Sequence, residues 1–274
     1  MSLMEKFTFK TLTSVINQRK TAPKFLFDKF FKTKKAILGK SVEIRIKKGA
    51  GIVLQSVSSE ARHLIQDRSD EYILTVPLPR FPLKDAVTAA EMNELKTLEG
   101  GKEQLETLSK KIGEILGEHK DSYMTTIEHM CGGALVGQVT DGKGKVLFEF
   151  KTTATEKGFT NSKEILASIR EVDTAILNEL GHTAPYEMLC GSSFITSLSA
   201  KCVAEKLFEQ QQARWITEGG SRILEAHGIR FIPYAYQAVN AAGDLKTFIG
   251  ANKAVAVPLS NDVFKFYYGR ADHV

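Results

Sequence analysis

Between Val42 and Lys47 apolar and charged residues alternate strictly, with Val42, Ile44 and Ile46 set against Glu43, Arg45 and Lys47. That period of two predicts a half-buried strand within the alternating stretch 36–52. Residues 52–57 and 72–76 read as further strands, the second closed by Pro77, Pro79 and Pro82. The polar run SSEARHLIQDRSDE (58–71) between them reads as an exposed loop. Residues 36–82 together look like an extended, two-stranded excursion with little core of its own.

After the prolines the rhythm lengthens. Thr88-Ala-Ala-Glu91 fits a capping box, in which hydroxyl and carboxylate satisfy free backbone N–H groups. Apolar residues then recur at steps of three or four from Met92 through Leu105, Leu108, Ile112, Ile115 and Ile127 to Met130, which is one greasy helical stripe. A straight helix over 88–131 would be roughly 65 Å long. Gly100-Gly101 is therefore expected to bend or break it, and Gly132-Gly133 to end it.

The rest of the chain mixes both periods. Asp141-Gly142 inside LVGQVTDGKGKVLFEF (135–150) is a hairpin signal. An amphipathic helix is predicted over 162–180, carrying Ile165, Ile169, Val172, Ile176 and Leu180 on one face, with Gly181 as its stop. A buried strand follows at 186–190, then a helix over 192–214, broken before Gly219-Gly220. Strands are expected at 229–239 and 245–249, turning at Ala242-Gly243-Asp244, and at 254–258. The fold class is α+β.

One stretch fits neither period. KFLFDKFFKTKK (24–35) sets Phe25, Leu26, Phe27, Phe30 and Phe31 among five lysines. Fully burying one such apolar side chain is worth roughly 1.5–3 kcal/mol, so something must cover them, while the lysines require water or an anionic surface. A short helix after Pro23 would bring Phe25, Leu26, Lys29 and Phe30 near one another.

Charge sharpens that contrast. Residues 1–50 hold 13 Lys/Arg against 3 Asp/Glu, a net of +10, and the remainder is mildly acidic at −5. A basic arm on an acidic body suits nucleic acid or an acidic surface on another copy of the chain. Three cysteines predict no disulfide framework, and no run of about 18 apolar residues predicts a membrane span.

Candidate chemistry is thin. Leu38-Gly39-Lys40-Ser41 has the end of a phosphate loop, but Lys34 stands where the first glycine belongs and a strand follows instead of a helix. His119, His129 and Cys131 lack a second ligand pair at zinc spacing. Cys190-Gly191-Ser192 has the strand-to-helix order of a nucleophile elbow without its flanking glycines, and a helix N-cap at Ser192 or Ser193 accounts for it. Asp67, Asp70 and Glu71 alternate with Arg62, His63 and Arg68, as in a self-paired solvated loop. No catalytic residue, cofactor or metal site is expected.

The order of these features resembles the phage major capsid protein E family, the lambda-type major capsid proteins of tailed bacteriophages. Three stretches carry the resemblance: FLFDKFF with SVEIRIKKGAGIVLQSVSSEA (41–61); EMNELKTLEGGKEQLETLSKKIGEILGEHKDSYMTTIEHMCGGALVGQV (91–139); and HGIRFIPYAYQAVNAAGDLKTFIGANKAVAVPLS (227–260). The family's aromatic and Phe-Ile-Pro after the glycine turn are here Phe248-Ile249 followed by Gly250 and Ala251. Members also continue past the equivalent of FKFYYGRADHV, so the resemblance implies a C-terminally truncated product of a prophage.

The resemblance further implies a tailed-phage major capsid fold. It would have an N-terminal arm (1–35), an extension loop (36–87), a peripheral domain (88–160, spine helix 88–131 and hairpin 135–150) and an axial domain (161–260). An incomplete return toward the peripheral domain would follow (261–274). It implies a non-enzymatic head subunit that self-assembles, as hexamers and pentamers, into the icosahedral shell enclosing phage DNA. Phe25, Phe27, Phe30, Phe31, Arg62 and Arg68 would lie at the subunit interface. Portal, scaffold and decoration proteins and non-specifically held packaged DNA would be the other partners. The virion capsid, and the host cytoplasm during assembly, would be the location, with no membrane.

Two other shells or binders share some of these features. An encapsulin-type nanocompartment shell has the same fold class and a different cargo. A nucleic-acid-binding protein using residues 1–48 accounts for the basic arm but not for the excursion and long helix. An enzyme built around 162–260 is the least supported reading.

Overall fold

The first described element answers to the odd stretch: helix α1 (Phe25–Lys29) leads into strands β1 (Thr33–Ile37) and β2 (Ser41–Lys47). Strand β3 (Glu71–Pro77) returns antiparallel to β2, in register from Ser41 opposite Pro77 to Lys47 opposite Glu71. The chain continues through the long helix α2 (Gln104–Leu135), the hairpin β4 (Gln138–Thr140) and β5 (Val146–Glu149), and helix α3 (Ile165–Leu180). Strand β6 (Tyr186–Cys190), helix α4 (Ser192–Ala204) and strands β7 (Ala213–Glu218), β8 (Ser221–Ala226) and β9 (Ile229–Pro233) follow. Short β10 (Gln237–Val239) and β11 (Leu245–Thr247) pair with each other, and β12 (Ala254–Pro258) and β13 (Lys265–Gly269) complete the order.

The computed structural model describes residues 24–47, 71–86, 88–91, 104–150, 158–159, 163–234, 236–239, 245–259 and 263–269. The expected loop over 58–71, apart from Glu71, which begins β3, lies outside the described residues, as do the strand at 52–57, the bend at Gly100-Gly101 and the turn at Ala242-Gly243-Asp244.

The centre of the molecule is a five-stranded mixed sheet in the order β12-β6-β9-β8-β7, with β6 and β9 parallel and the other neighbours antiparallel. Strand alternation sends its side chains to two cores. On one face Cys190, Leu224 and Phe231 pack against Ile165 and Ile169 of α3 and Leu198 and Cys202 of α4. On the other, Leu189, Ile223, Ile232 and Val257 pack against Leu26 and Phe30 of α1 and Cys131 of α2. Register explains the division: Leu189 stands opposite Ile232, so both must face the same way. The sheet is thus a middle layer between two pairs of helices.

Several boundaries follow from identifiable residues. Thr88 and Glu91 form the capping box: the Glu91 carboxylate accepts from Thr88 N at 2.8 Å, and Thr88 Oγ1 accepts from Glu91 N at 3.3 Å. In the β4–β5 hairpin Asp141 Oδ1 accepts from the amides of Lys143 and Lys145, each at 2.8 Å. The positive φ there, 83°, falls on Gly144. Helix α3 stops at Gly181 in the left-handed conformation (φ 72°), whose N–H caps Leu177 O.

Three expectations need correction. First, α2 does not end at Gly132-Gly133 but runs on to Leu135. A Cβ on Gly132 would strike the Phe248 ring at 2.9 Å, and one on Gly133 the Gln138 carbonyl at 2.6 Å. These glycines permit close packing within the helix, and Gly137, at φ 89°, makes the turn out of it.

Second, α4 ends at Ala204, ten residues before the expected limit, and Gly219-Gly220 joins two strands instead of following a broken helix. Helix-favouring Glu, Gln and Ala around 205–213 disguise the boundary. Gly219 and Gly220, at φ 58° and 81°, supply the doubly left-handed turn that a tight hairpin needs. Third, the expected strand over 229–239 divides at Pro233 into β9 and β10. Proline has no N–H to continue the ladder.

Candidate functional site: the arm socket

The amino-terminal helix presents a problem in hydrogen bonding. Its first amides have no intrahelical partners, and Lys24 at the N-cap offers no side-chain acceptor. Helix α2 supplies one. Glu128 Oε1 accepts from Leu26 N at 2.8 Å and Glu128 Oε2 from Phe27 N at 3.1 Å. Tyr234 Oη donates to Glu128 Oε1 at 2.9 Å from the end of β9. One carboxylate thereby joins three segments of the chain, and the positive end of a helix faces it.

Glu128 is 0% exposed. Burying an ionised carboxylate carries an effective penalty of several kcal/mol unless hydrogen bonds replace water, and here three donors do so. Burial, reinforced by the Glu128 charge, pushes the Tyr234 hydroxyl well above the usual tyrosine range. The same surroundings push the Cys131 thiol up, burial first and then Glu128.

A second buried carboxylate lies on the same sheet face. Glu187 Oε2 lies 2.5 Å from Lys29 Nζ, and Glu187 Oε1 lies 3.3 Å from an Arg230 guanidinium nitrogen. Arg230 also pairs with Glu218. Lys29 therefore spends its charge inside the chain, while its ammonium lies 5.4 Å from the Phe25 ring centre and 5.7 Å from that of Phe30.

The aromatic residues of the arm separate into two kinds. Phe30 and Phe31 are each 4% exposed, and Leu26 is fully buried, all within this chain's own core. Phe31 packs on Phe264 at 5.5 Å between ring centres and Phe27 on Phe266 at 5.0 Å. Phe25 keeps 38% of its surface exposed, although its ring lies 5.8 Å from that of Tyr234. The surface that the sequence reading reserves for neighbouring copies at Phe30 and Phe31 is thus already covered from within. Arg62 and Arg68 lie outside the described residues.

The other sequence candidates occupy ordinary structural places. His129 Nε2 lies 3.1 Å from Thr140 Oγ1, linking α2 to the hairpin. Leu38-Gly39-Lys40 forms the bend before β2. Cys131, Cys190 and Cys202 are buried free thiols, and burial with the Glu205 charge pushes Cys202 to about 11. The N-cap of α4 is Gly191, not Ser192 or Ser193, and no side chain caps it. Carbonyls of the 250–253 loop take its amides: Gly191 N donates to Lys253 O and Phe194 N to Ala251 O, each at 2.9 Å. Among the described residues no three His, Cys, Asp or Glu side chains converge as a metal site.

Sequence reasoning missed Glu128, Glu187, Arg230 and Tyr234. A glutamate within the largely buried strand YEMLC was one signal that could have found the socket. Glu128 gave none, because carboxylates are common on the polar side of an amphipathic helix.

The chain is an α+β protein in which buried carboxylates join distant segments. The chain belongs to the phage major capsid protein E family, whose model matches residues 8–274. That membership makes it a structural capsid subunit, with self-assembly into a shell and the virion capsid as its setting. No curated protein matches the sequence. Among the described residues no helix is long and apolar enough to cross a membrane.

Proposed function

We propose that this chain is the major head subunit of a tailed phage, assembling as hexamers and pentamers into an icosahedral shell around DNA. The family match over residues 8–274 carries the reading. The layout is that of the tailed-phage capsid fold: an arm over 1–35, an extension loop over 36–87, a peripheral domain over 88–160, an axial domain over 161–260 and a return over 261–274. The five-stranded sheet flanked by α3 and α4 supports the axial assignment, and the paired β2 and β3 support the extension loop. The work of the chain is mechanical, not catalytic.

Phe25 and Phe27 on the arm, with Arg62 and Arg68 on the loop, contact neighbouring subunits in this proposal. Portal, scaffold and decoration proteins are further partners. Electron microscopy of the purified chain, with light scattering beside it, tests the reading. Shells, capsomer rings or tubes are expected; a monodisperse monomer under all assembly conditions overturns it.

A further inference from the structure

Leu26, Phe30 and Phe31 turn inward, which leaves the question of the lysines around them. Lys29 is held by Glu187, and Lys34 lies 3.7 Å from Asp28 and over the Phe27 ring. Among the described residues, Lys35 lies on the ribbon formed by β1 and β13. These strands pair in parallel, with Thr33 opposite Lys265 and Lys35 opposite Tyr267. Register partners share a face, so Lys35 and Lys265 project from the same side, two residues apart along the ribbon. That is roughly 6.6 Å along the strand and about 4.8 Å across. Lys34, with Phe266 opposite, takes the other face toward α1.

Two more cations stand at opposite ends of the ribbon. Lys32 immediately precedes β1. Arg80 follows Leu78, whose Cδ1 would meet a Cβ on Gly269 at 3.0 Å, bringing that segment to the end of β13. Lys32, Lys35, Lys265 and Arg80 are all exposed, and among the described residues none forms an ion pair. Four unneutralised cations along one short ribbon repel one another, and their field favours an anion of high charge density.

We propose that this ribbon binds the phosphate backbone of nucleic acid without regard to sequence, through Lys32, Lys35, Lys265 and Arg80. The inference stands on the charge arrangement, and rests on the shell reading only in naming DNA as the polymer. Duplex DNA carries a negative charge about every 1.7 Å along its axis, a density that ordinary protein surfaces do not reach. The alternative partner, an acidic face on a second copy, is weaker: residues 51–274 hold 29 acidic side chains diluted by 24 basic ones. Three of the four cations are lysines, whose ammonium groups are compact point charges suited to phosphate oxygens, so they position a backbone.

The test is fluorescence anisotropy of a short random-sequence duplex with the full chain, over a series of salt concentrations. Wild-type binding should weaken steeply as salt rises. In Lys32→Ala/Lys35→Ala/Lys265→Ala/Arg80→Ala, the slope of log affinity against log salt should shrink by roughly 0.9 for each cation removed. Replacing the three lysines with arginine should keep the wild-type slope. Absence of wild-type binding at low salt, or an unchanged slope in the alanine variant, overturns the proposal. Loss of oligomers by light scattering in the alanine variant, with DNA binding intact, overturns it in favour of an acidic protein partner. Particle formation without DNA binding defeats this inference alone and leaves the shell reading standing; DNA binding without particles does the reverse.

Discussion

The Glu128 carboxylate accepts the amide proton of Leu26 at 2.8 Å, across 102 residues of sequence. Neither group is satisfactory alone: the helix amide lacks a partner, and the carboxylate has no access to water. Hydrogen bonds to charged groups contribute roughly 1.5–3 kcal/mol each. Glu128→Gln keeps the shape but turns an amino group toward one of the two amides. Urea denaturation should show a loss of about 2–3 kcal/mol, and hydrogen exchange at Leu26 and Phe27 should quicken. Unchanged exchange at both amides would show that the contact does not form in solution.

Self-docking of the arm can be separated from docking between copies. Leu26→Ala removes a fully buried side chain and should cost about 2–5 kcal/mol. Phe25→Ala, at a partly exposed position, should cost about 1–2 kcal/mol, a fraction of the full burial energy. Because Leu26 is covered by its own chain, the drop in unfolding midpoint from wild type to Leu26→Ala should be the same at every protein concentration. A drop that grows with concentration would mean the arm is held by a neighbour.

The fold was legible where local signals agreed. Gly181 stops α3 as a left-handed glycine should, Thr88 and Glu91 cap each other, and Tyr186–Cys190 is a strand. It was illegible where distant contacts decided. Gly132 and Gly133 look like a helix terminator, and only Phe248 and Gln138 pressing against them explain why the helix continues. Ser192 looks like a cap, but the 250–253 loop supplies the carbonyls and requires glycine at 191. The socket is the extreme case: Glu128 and Tyr234 acquire their roles only once the arm arrives.

Glycine substitutions should divide by sign. Gly113 and Gly117 have open space around the position of a Cβ, so alanine at either should stabilise α2 by about 0.5–1 kcal/mol. At Gly191 a Cβ would lie 2.5 Å from Ala251 O and collide with Gly250 O. Gly191→Ala should therefore lower the melting temperature markedly, since backbone cannot yield cheaply. Equal melting temperatures for Gly191→Ala and Gly113→Ala would contradict the loop contact.

Alkaline pH should unfold the protein. Burial raises Tyr234 and Tyr186, with Glu128 and Asp173 adding to the respective shifts, and burial also raises Cys131, Cys190 and Cys202. Each group holds its proton longer in the folded state than in the unfolded one. Their stabilisation is complete below the unfolded values, about 8.5 for thiols and 10 for tyrosine, and is lost as pH rises beyond them. Urea midpoints should fall above about pH 8.5. Tyr234→Phe should weaken that dependence while costing about 1–3 kcal/mol at neutral pH, because Glu128 loses a donor. A midpoint rising with pH in this window would refute the assignment.

The parallel pairing of β1 with β13 sets a schedule for the newborn chain. Thr33 meets its partner Lys265 more than two hundred residues later. At roughly 5–20 residues per second of synthesis, β1 waits about ten to fifty seconds on the ribosome before its partner strand exists. Until Tyr234 and then β13 emerge, the socket cannot close and the aromatic arm stays available to chaperones or to aggregation. Nascent subunits on one messenger are thereby kept from maturing before β13 has been made, and the finished arm–ribbon joint works as a built-in timer on when a subunit becomes fit to build with.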